Sequence, residues 1–192
     1  MVDQAARFLL DTLFGLLTYA FLLRFAMQWL RASFRNPFGQ ALMAATDWAV
    51  KPLRRVIPGV RGIDWSTLLL AWLAQVAWMF ALHLVLGRGA FSASTVPVLL
   101  LLAAVELLKA ALWMLIVVVI AQAILSWVAP DGPLAGLLNA LTFRFLRPIR
   151  RIVPPLGGTL DLSPLILIVL LQLLLMLPVR WLEMAVLGLY RG

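Results

Sequence analysis

The 192-residue chain is 64% hydrophobic and 12% charged, with a net charge of +8 and no cysteine. A soluble domain carries about 25% charged residues, so this chain lacks the polar material to coat a water-facing surface and reads as an integral membrane protein. Without thiols it has no disulfides, thiolate metal sites, iron–sulfur clusters or thiol catalysis, and its basic residues gather in two loops, where membrane topology explains them before nucleic acid does.

The first apolar span is expected from Arg7 to Leu30. It reads as a retained helix and not a cleavable signal, because Asp3 interrupts the n-region and the apolar stretch outruns a signal core. Arg24 lies inside it, ~10 Å from Arg31 at about 1.5 Å per residue. It either snorkels or hydrogen-bonds to a neighbouring helix, or it lines a pathway. Next comes an amphipathic segment between Pro37 and Pro52, with Leu42, Ala45, Ala49 and Leu53 on one face and Thr46, Asp47 and Lys51 on others. The second span runs from Trp65 to Leu86 and the third from Val98 to Val128. The third is longer than the roughly 20 residues a crossing needs, and its Glu106 and Lys109 share a helix face and can pair. A second amphipathic segment lies between Pro133 and Pro148, with Leu134, Leu137, Leu138, Leu141 and Phe145 in helical spacing and Asn139, Thr142, Arg144 and Arg147 between them. The fourth span runs from Leu162 to Trp181. Proline suits a helix start and opposes its continuation, so each amphipathic helix is expected to begin after one proline and end at the next. Both helices are too short and too polar to cross; a position in the interface plane fits better than a re-entrant hairpin.

The second half repeats the first. Lys51-Pro52-Leu53-Arg54-Arg55-Val56-Ile57-Pro58 returns as Arg147-Pro148-Ile149-Arg150-Arg151-Ile152-Val153-Pro154, about 97 residues on. Asp64-Trp65-Ser66 returns as Asp161-Leu162-Ser163, Gln75 as Gln172, Trp29 as Trp127 and Thr46 as Thr142. The expected architecture is an all-α membrane protein of four transmembrane helices in two parallel tandem repeats, residues 1–90 and 91–192. Each repeat is helix, interfacial amphipathic helix, helix. The positive-inside rule makes the two basic loops cytoplasmic and both termini periplasmic.

The duplicated basic turn carries the candidate site: Pro52, Arg54, Arg55, Pro58, Asp64 and Ser66, and Pro148, Arg150, Arg151, Pro154, Asp161 and Ser163. Asp64 and Asp161 stand where the next helix begins, placed to accept its orphan N–H groups or to pair with the arginines upstream. Ser163-Pro164 reads as an N-cap followed by proline at N1. The turn is either a topology anchor with a helix cap, or a binding site for anionic lipid headgroups or an acidic partner. Intramembrane polar residues are Arg24, Gln28, Gln75, Gln122 and Gln172. The glutamines serve either as helix–helix hydrogen bonds, with the matched pair meeting near the pseudo-two-fold axis, or as the lining of a narrow pore. His83, the only histidine, is expected at the interface; nothing predicts a metal site or a cofactor. Phosphate-binding glycine loops, H-E-x-x-H and chains of intramembrane acids are all absent, which argues against an enzyme or a proton-driven pump.

The twice-occurring P-x-R-R-[IV]-[IV]-P with D-x-S at the mouth of an apolar span resembles the YggT family, also called YlmG, over about Leu13 to Leu177. Members are small inner-membrane proteins without assigned catalysis. The resemblance implies links with tolerance of osmotic or ionic stress and with cell division, and in a plastid branch with haem attachment to a membrane cytochrome. The function expected is a non-enzymatic inner-membrane scaffold or accessory protein with a basic cytoplasmic face. A small channel or transporter for ions or osmolytes is the alternative, and a cytochrome assembly factor the second alternative. The expected partners are the lipid bilayer, anionic lipids, a membrane or cytoplasmic protein and a second copy of the chain, with no nucleic acid.

Overall fold

The computed structural model describes residues 2–60, 62–85, 87, 95–153 and 161–191, and among these every regular element is a helix. The first half comprises α1 (Val2–Trp29), α2 (Pro37–Val56) and α3 (Trp65–Val85); the second comprises α4 (Thr95–Val128), α5 (Pro133–Ile152) and α6 (Ser163–Leu174). A π-helical turn, Leu175–Val179, carries α6 directly into α7 (Arg180–Arg191). Pro178 lies in that turn, where the wider winding accommodates its missing N–H. Four stretches are long and apolar enough to cross a membrane: Gln4–Trp29, Trp65–Val85, Thr95–Val128 and Ser163–Leu189. The chain is a multi-pass membrane protein. The fourth stretch runs past the expected end at Trp181 and so carries Glu183 to Lys109, which it meets at 3.2 Å.

The long α4 is the central element, touching α1, α3, α5, α6 and α7. The first of three apolar clusters joins Phe21 and Leu22 of α1 to Ala49 and Val50 of α2, Ala71 of α3 and Ala110 of α4. A second ties the halves together, with Met27, Ala32 and Leu42 against Leu137 and Leu141. The third gathers Ile116, Val119, Leu146, Leu167 and Leu171.

Two sequence expectations about the amphipathic helices change. First, α2 buries Gly39, Leu42, Thr46, Ala49 and Val50, while Ala45 is exposed. The inward face therefore includes a residue assigned outward by its polarity. Thr46 tolerates full burial because its Oγ1 donates to the Leu42 carbonyl at 2.6 Å. Thr142 is buried in the same way, bonded to the Leu138 carbonyl at 2.9 Å. Second, Pro52 and Pro148 do not end their helices but sit inside them, one turn before the ends at Val56 and Ile152. Both prolines are exposed, so the carbonyl that each leaves without an N–H partner stays on the outer side of the helix. The two helices then stop alike: Ile57 and Val153 adopt nearly the same backbone angles, and each N–H bonds the carbonyl four residues back.

The helix starts follow from local chemistry. Asn36 Oδ1 accepts the Gly39 N–H at 2.7 Å, and Pro37 fills the first turn of α2. Gly39 must be glycine, since a Cβ there would lie 2.8 Å from the Phe34 backbone. α1 ends in a Schellman turn, with the Ala32 N–H on the Met27 carbonyl (2.8 Å) and the Arg31 N–H on the Gln28 carbonyl (3.1 Å). This puts Arg31 at φ +56°, a left-handed position that favours glycine. Arg31→Gly is therefore expected to stabilise the protein by about 1 kcal/mol, read as a raised Tm in detergent. An unchanged or lower Tm would show that the turn carries no backbone strain.

Candidate functional site at the basic segments

Each half places an arginine near the end of its amphipathic helix against an aspartate at the mouth of the following apolar helix. In the first half the chain turns through a Val60–Ile63 bridge, with Gly62 at φ +82°, and brings Asp64 back to Arg54. Asp64 is 4% exposed. Its carboxylate accepts from Arg54 Nη2 and from the hydroxyls of Ser66 and Thr67. With its amide nitrogen turned toward Asp64, Gln28 of α1 donates to Oδ2 at 2.6 Å and accepts from Arg54 Nη2 at 2.9 Å. Burial pushes the Asp64 carboxyl up, but the bonds from Ser66, Thr67 and Arg54 together outweigh it and hold it below the usual carboxylate value.

The second half has a looser version. Arg150 Nε and Nη2 both reach Asp161 Oδ2, at 2.9 and 2.8 Å, and the Ser163 N–H donates to Oδ1 at 2.9 Å. Pro164 replaces Thr67 and Ser126 replaces Gln28, so two donors are lost. The Asp161 side chain is 29% exposed against 3% for Asp64. Its carboxyl is again held low: burial raises it, and the Ser163 and Arg150 bonds more than compensate. Ser163 is the first residue of α6 and not the cap that its sequence position had implied; Leu162 is the N-cap, and Asp161 accepts the Ser163 N–H from just outside the helix.

The arginine doublets thus divide. Arg54 and Arg150 turn in to the aspartates, whereas Arg55 and Arg151 are exposed and, among the described residues, no ion pair holds them. Nearby, the Arg144 guanidinium lies 4.9 Å over the Trp29 ring, and Arg147 lies 5.9 Å from the Phe143 ring. The Trp29–Arg144 contact joins the end of α1 to α5, and so the basic segments of the two halves. Under it opens an apolar groove of about 490 Å³ between α1, α4 and α5, walled in part by Phe25, Leu112, Leu141 and Phe145. Pro58 is exposed; Pro154 and Arg61 lie outside the described residues.

Arg24 hydrogen-bonds to the neighbouring α2, one of the readings its sequence position allowed. It is 5% exposed, with Nη1 2.6 Å from Thr46 Oγ1 and 2.8 Å from Asp47 Oδ1. Asp47 also meets Lys51 at 2.8 Å. The Lys51 bond chiefly, and Arg24 after it, hold the Asp47 carboxyl low against some burial. Sequence reasoning placed Thr46 and Asp47 on outer faces and missed this set. A signal existed: the second half replaces Arg24 by Gln122 and Asp47 by Phe143, losing both charges together. Gln122 instead lines a polar cavity of about 210 Å³ with Ser126 and Asn139. The matched glutamines are not brought together. Gln75 lines a cleft between α1, α3 and α4, whereas Gln172 is exposed on α6. His83 is buried in the last turn of α3.

The family model described as CCB3/YggT matches residues 4–85 and again 101–182. The chain belongs to the CCB3/YggT family. A Vibrio alginolyticus protein is 42% identical over 166 residues, covering 86% of this chain and 88% of the relative. An uncharacterized Pseudomonas aeruginosa protein is 38% identical over 181 residues, 93% and 90% of the two chains. YggT of Escherichia coli K12, described as uncharacterized, is 36% identical over 168 residues, 87% and 85% of the two chains. No solved structure matches. Two family segments in one chain agree with the tandem repeat of Arg–Asp turns in this YggT-family member.

Proposed function

We propose that this chain is a non-enzymatic scaffold or accessory protein of the bacterial inner membrane, whose basic face engages anionic phospholipid and presents a platform to a partner assembly. The carrying observation is the division of the doublets: one arginine of each is held by an aspartate, and the other is turned outward. The Arg–Asp pair anchors the turn, and Arg55 and Arg151 remain available to phosphate oxygens. The groove lined in part by Trp29, over whose ring Arg144 lies, has the apolar walls an acyl chain needs. Two parallel repeats put both turns at one membrane face, and the positive-inside rule makes that face cytoplasmic. Amphipathic α2 and α5 then lie along it. Such a platform is compatible with the family's links to osmotic-stress tolerance and cell division.

The test is the double variant Arg55→Glu with Arg151→Glu. Each arginine near an anionic surface contributes about 1 kcal/mol, so reversing two is expected to reduce retention of anionic lipid on the purified protein by roughly tenfold or more. Accessibility labelling must show the same topology in both proteins. Full lipid retention with unchanged topology would remove the proposal.

A further inference from the structure

We propose that the cleft between α1, α3 and α4, remote from the basic turns, binds a small organic ammonium cation. It has a volume of about 280 Å³ and is lined by Asp11, Gly15, Thr18 and Tyr19 of α1, Gln75 and Trp78 of α3, and Glu106, Lys109 and Trp113 of α4. Trp29 ends α1 at the basic turns, and at about 1.5 Å per residue Asp11 stands ~27 Å from it and Thr18 ~16 Å. The cleft therefore reaches from the opposite end of the bundle to mid-membrane depth.

Three features select the ligand. The first is charge. Lys109 is held between Glu106 at 2.7 Å and Glu183 at 3.2 Å, so two carboxylates already share the one ammonium. Asp11 adds a third carboxylate; its Oδ1 accepts from Trp78 Nε1 at 2.7 Å, and its Oδ2 is left for a ligand. The second is a buried polar atom with no partner. Thr12, Thr46 and Thr142 each bond the carbonyl four residues back, whereas Thr18 Oγ1, in a residue 1% exposed, has no hydrogen bond. At that depth a hydroxyl without a partner is costly, and a ligand N–H or a ligand-bound water would satisfy it. The third is the aromatic wall of Tyr19, Trp78 and Trp113. Aromatic faces favour an alkylated ammonium over a strongly hydrated inorganic ion. No group of carboxylates and histidines among the described residues is arranged for a metal ion.

Ala110, in the lining of the cleft, packs with buried Phe21, Leu22 and Ala71 in an apolar cluster, and the charge of Arg24 beyond it opposes a cation there. The cleft is accordingly a one-ended binding site. The ammonium belongs either to a free amine or to an ethanolamine lipid headgroup.

The test uses the full chain in phosphatidylglycerol nanodiscs, titrated at constant ionic strength with tetramethylammonium, methylammonium or sodium chloride and read by tryptophan fluorescence. A saturable response is expected to methylammonium, a weaker one to tetramethylammonium, which has the aromatic contacts but no N–H for Thr18, and none to sodium. Asp11→Asn should weaken it about tenfold. Gly15→Leu, which fills the cleft while keeping every charge, should abolish it; a Cβ at Gly15 meets no atom within 4 Å, and Gly15→Ala, for which that space suffices, serves as the milder variant and should weaken binding. Arg55→Glu with Arg151→Glu should leave binding unchanged, separating this site from the basic face. Adding phosphatidylethanolamine to the discs assigns the source: competition means a lipid headgroup, and no competition means a free amine. No saturable response, an equal response to sodium, or full affinity in Gly15→Leu would overturn the proposal.

Discussion

Asp64→Ala is expected to cost roughly 3–5 kcal/mol and to lower the Tm in detergent far more than Asp161→Ala does. The asymmetry follows from burial and donor count. Asp64 is the shared acceptor for Arg54, Ser66, Thr67 and Gln28, and Ser66 and Thr67 are fully buried. Removing the carboxylate strands hydroxyls that water cannot reach. Asp161 serves Arg150 and one backbone N–H from a position 29% exposed, where water takes over part of the work. Equal losses at the two sites would show that the duplicated turns are energetically alike and that the extra donors of the first contribute nothing.

The same groups set a pH dependence. Both carboxyls are held below the ordinary value of 3.8 in the folded protein. A depressed folded pKa adds stability that is fully present above the unfolded value, about pH 4, and is lost as pH falls through the folded value. Wild-type Tm should therefore be insensitive to these groups between about pH 5 and 8 and should drop below about pH 4. Asp64→Asn should lose part of that acid-dependent drop.

Arg24→Gln is expected to cost roughly 2–4 kcal/mol by itself, and markedly less when combined with Asp47→Phe. Arg24 is buried against Thr46 and Asp47, joining α1 to α2. Taking away the guanidinium leaves Asp47 with Lys51 alone, which is itself largely exposed. The second half already holds the alternative pair, glutamine at 122 and phenylalanine at 143, in the matching positions. A double-mutant cycle on Tm or denaturant unfolding should give a coupling of about 1–3 kcal/mol. Additive losses would mean that Arg24 and Asp47 are neighbours without energetic dependence on each other.

Much of the fold was legible in the residues alone. Composition and apolar run length gave four crossings, and the Pro37 and Pro133 starts of α2 and α5 followed from proline's fixed φ and missing N–H. A carboxylate at a helix mouth downstream of arginines offered pairing as one of two readings for Asp64 and Asp161, without saying which arginine, and both aspartates do meet one. These are local matters, decided within a few residues of chain.

Tertiary structure decided the rest: which arginine of each doublet turns inward, that Thr46 lies inside with Arg24, that Gln28 joins the Asp64 network and that Gln75 and Gln172 stay apart. Each depends on how far a helix is rotated about its own axis, and one residue of helix is about 100° of rotation. Hydropathy resolves that angle poorly in a chain so apolar, because nearly every face of a spanning helix is greasy. Only packing against the neighbouring helices selects which polar group meets which.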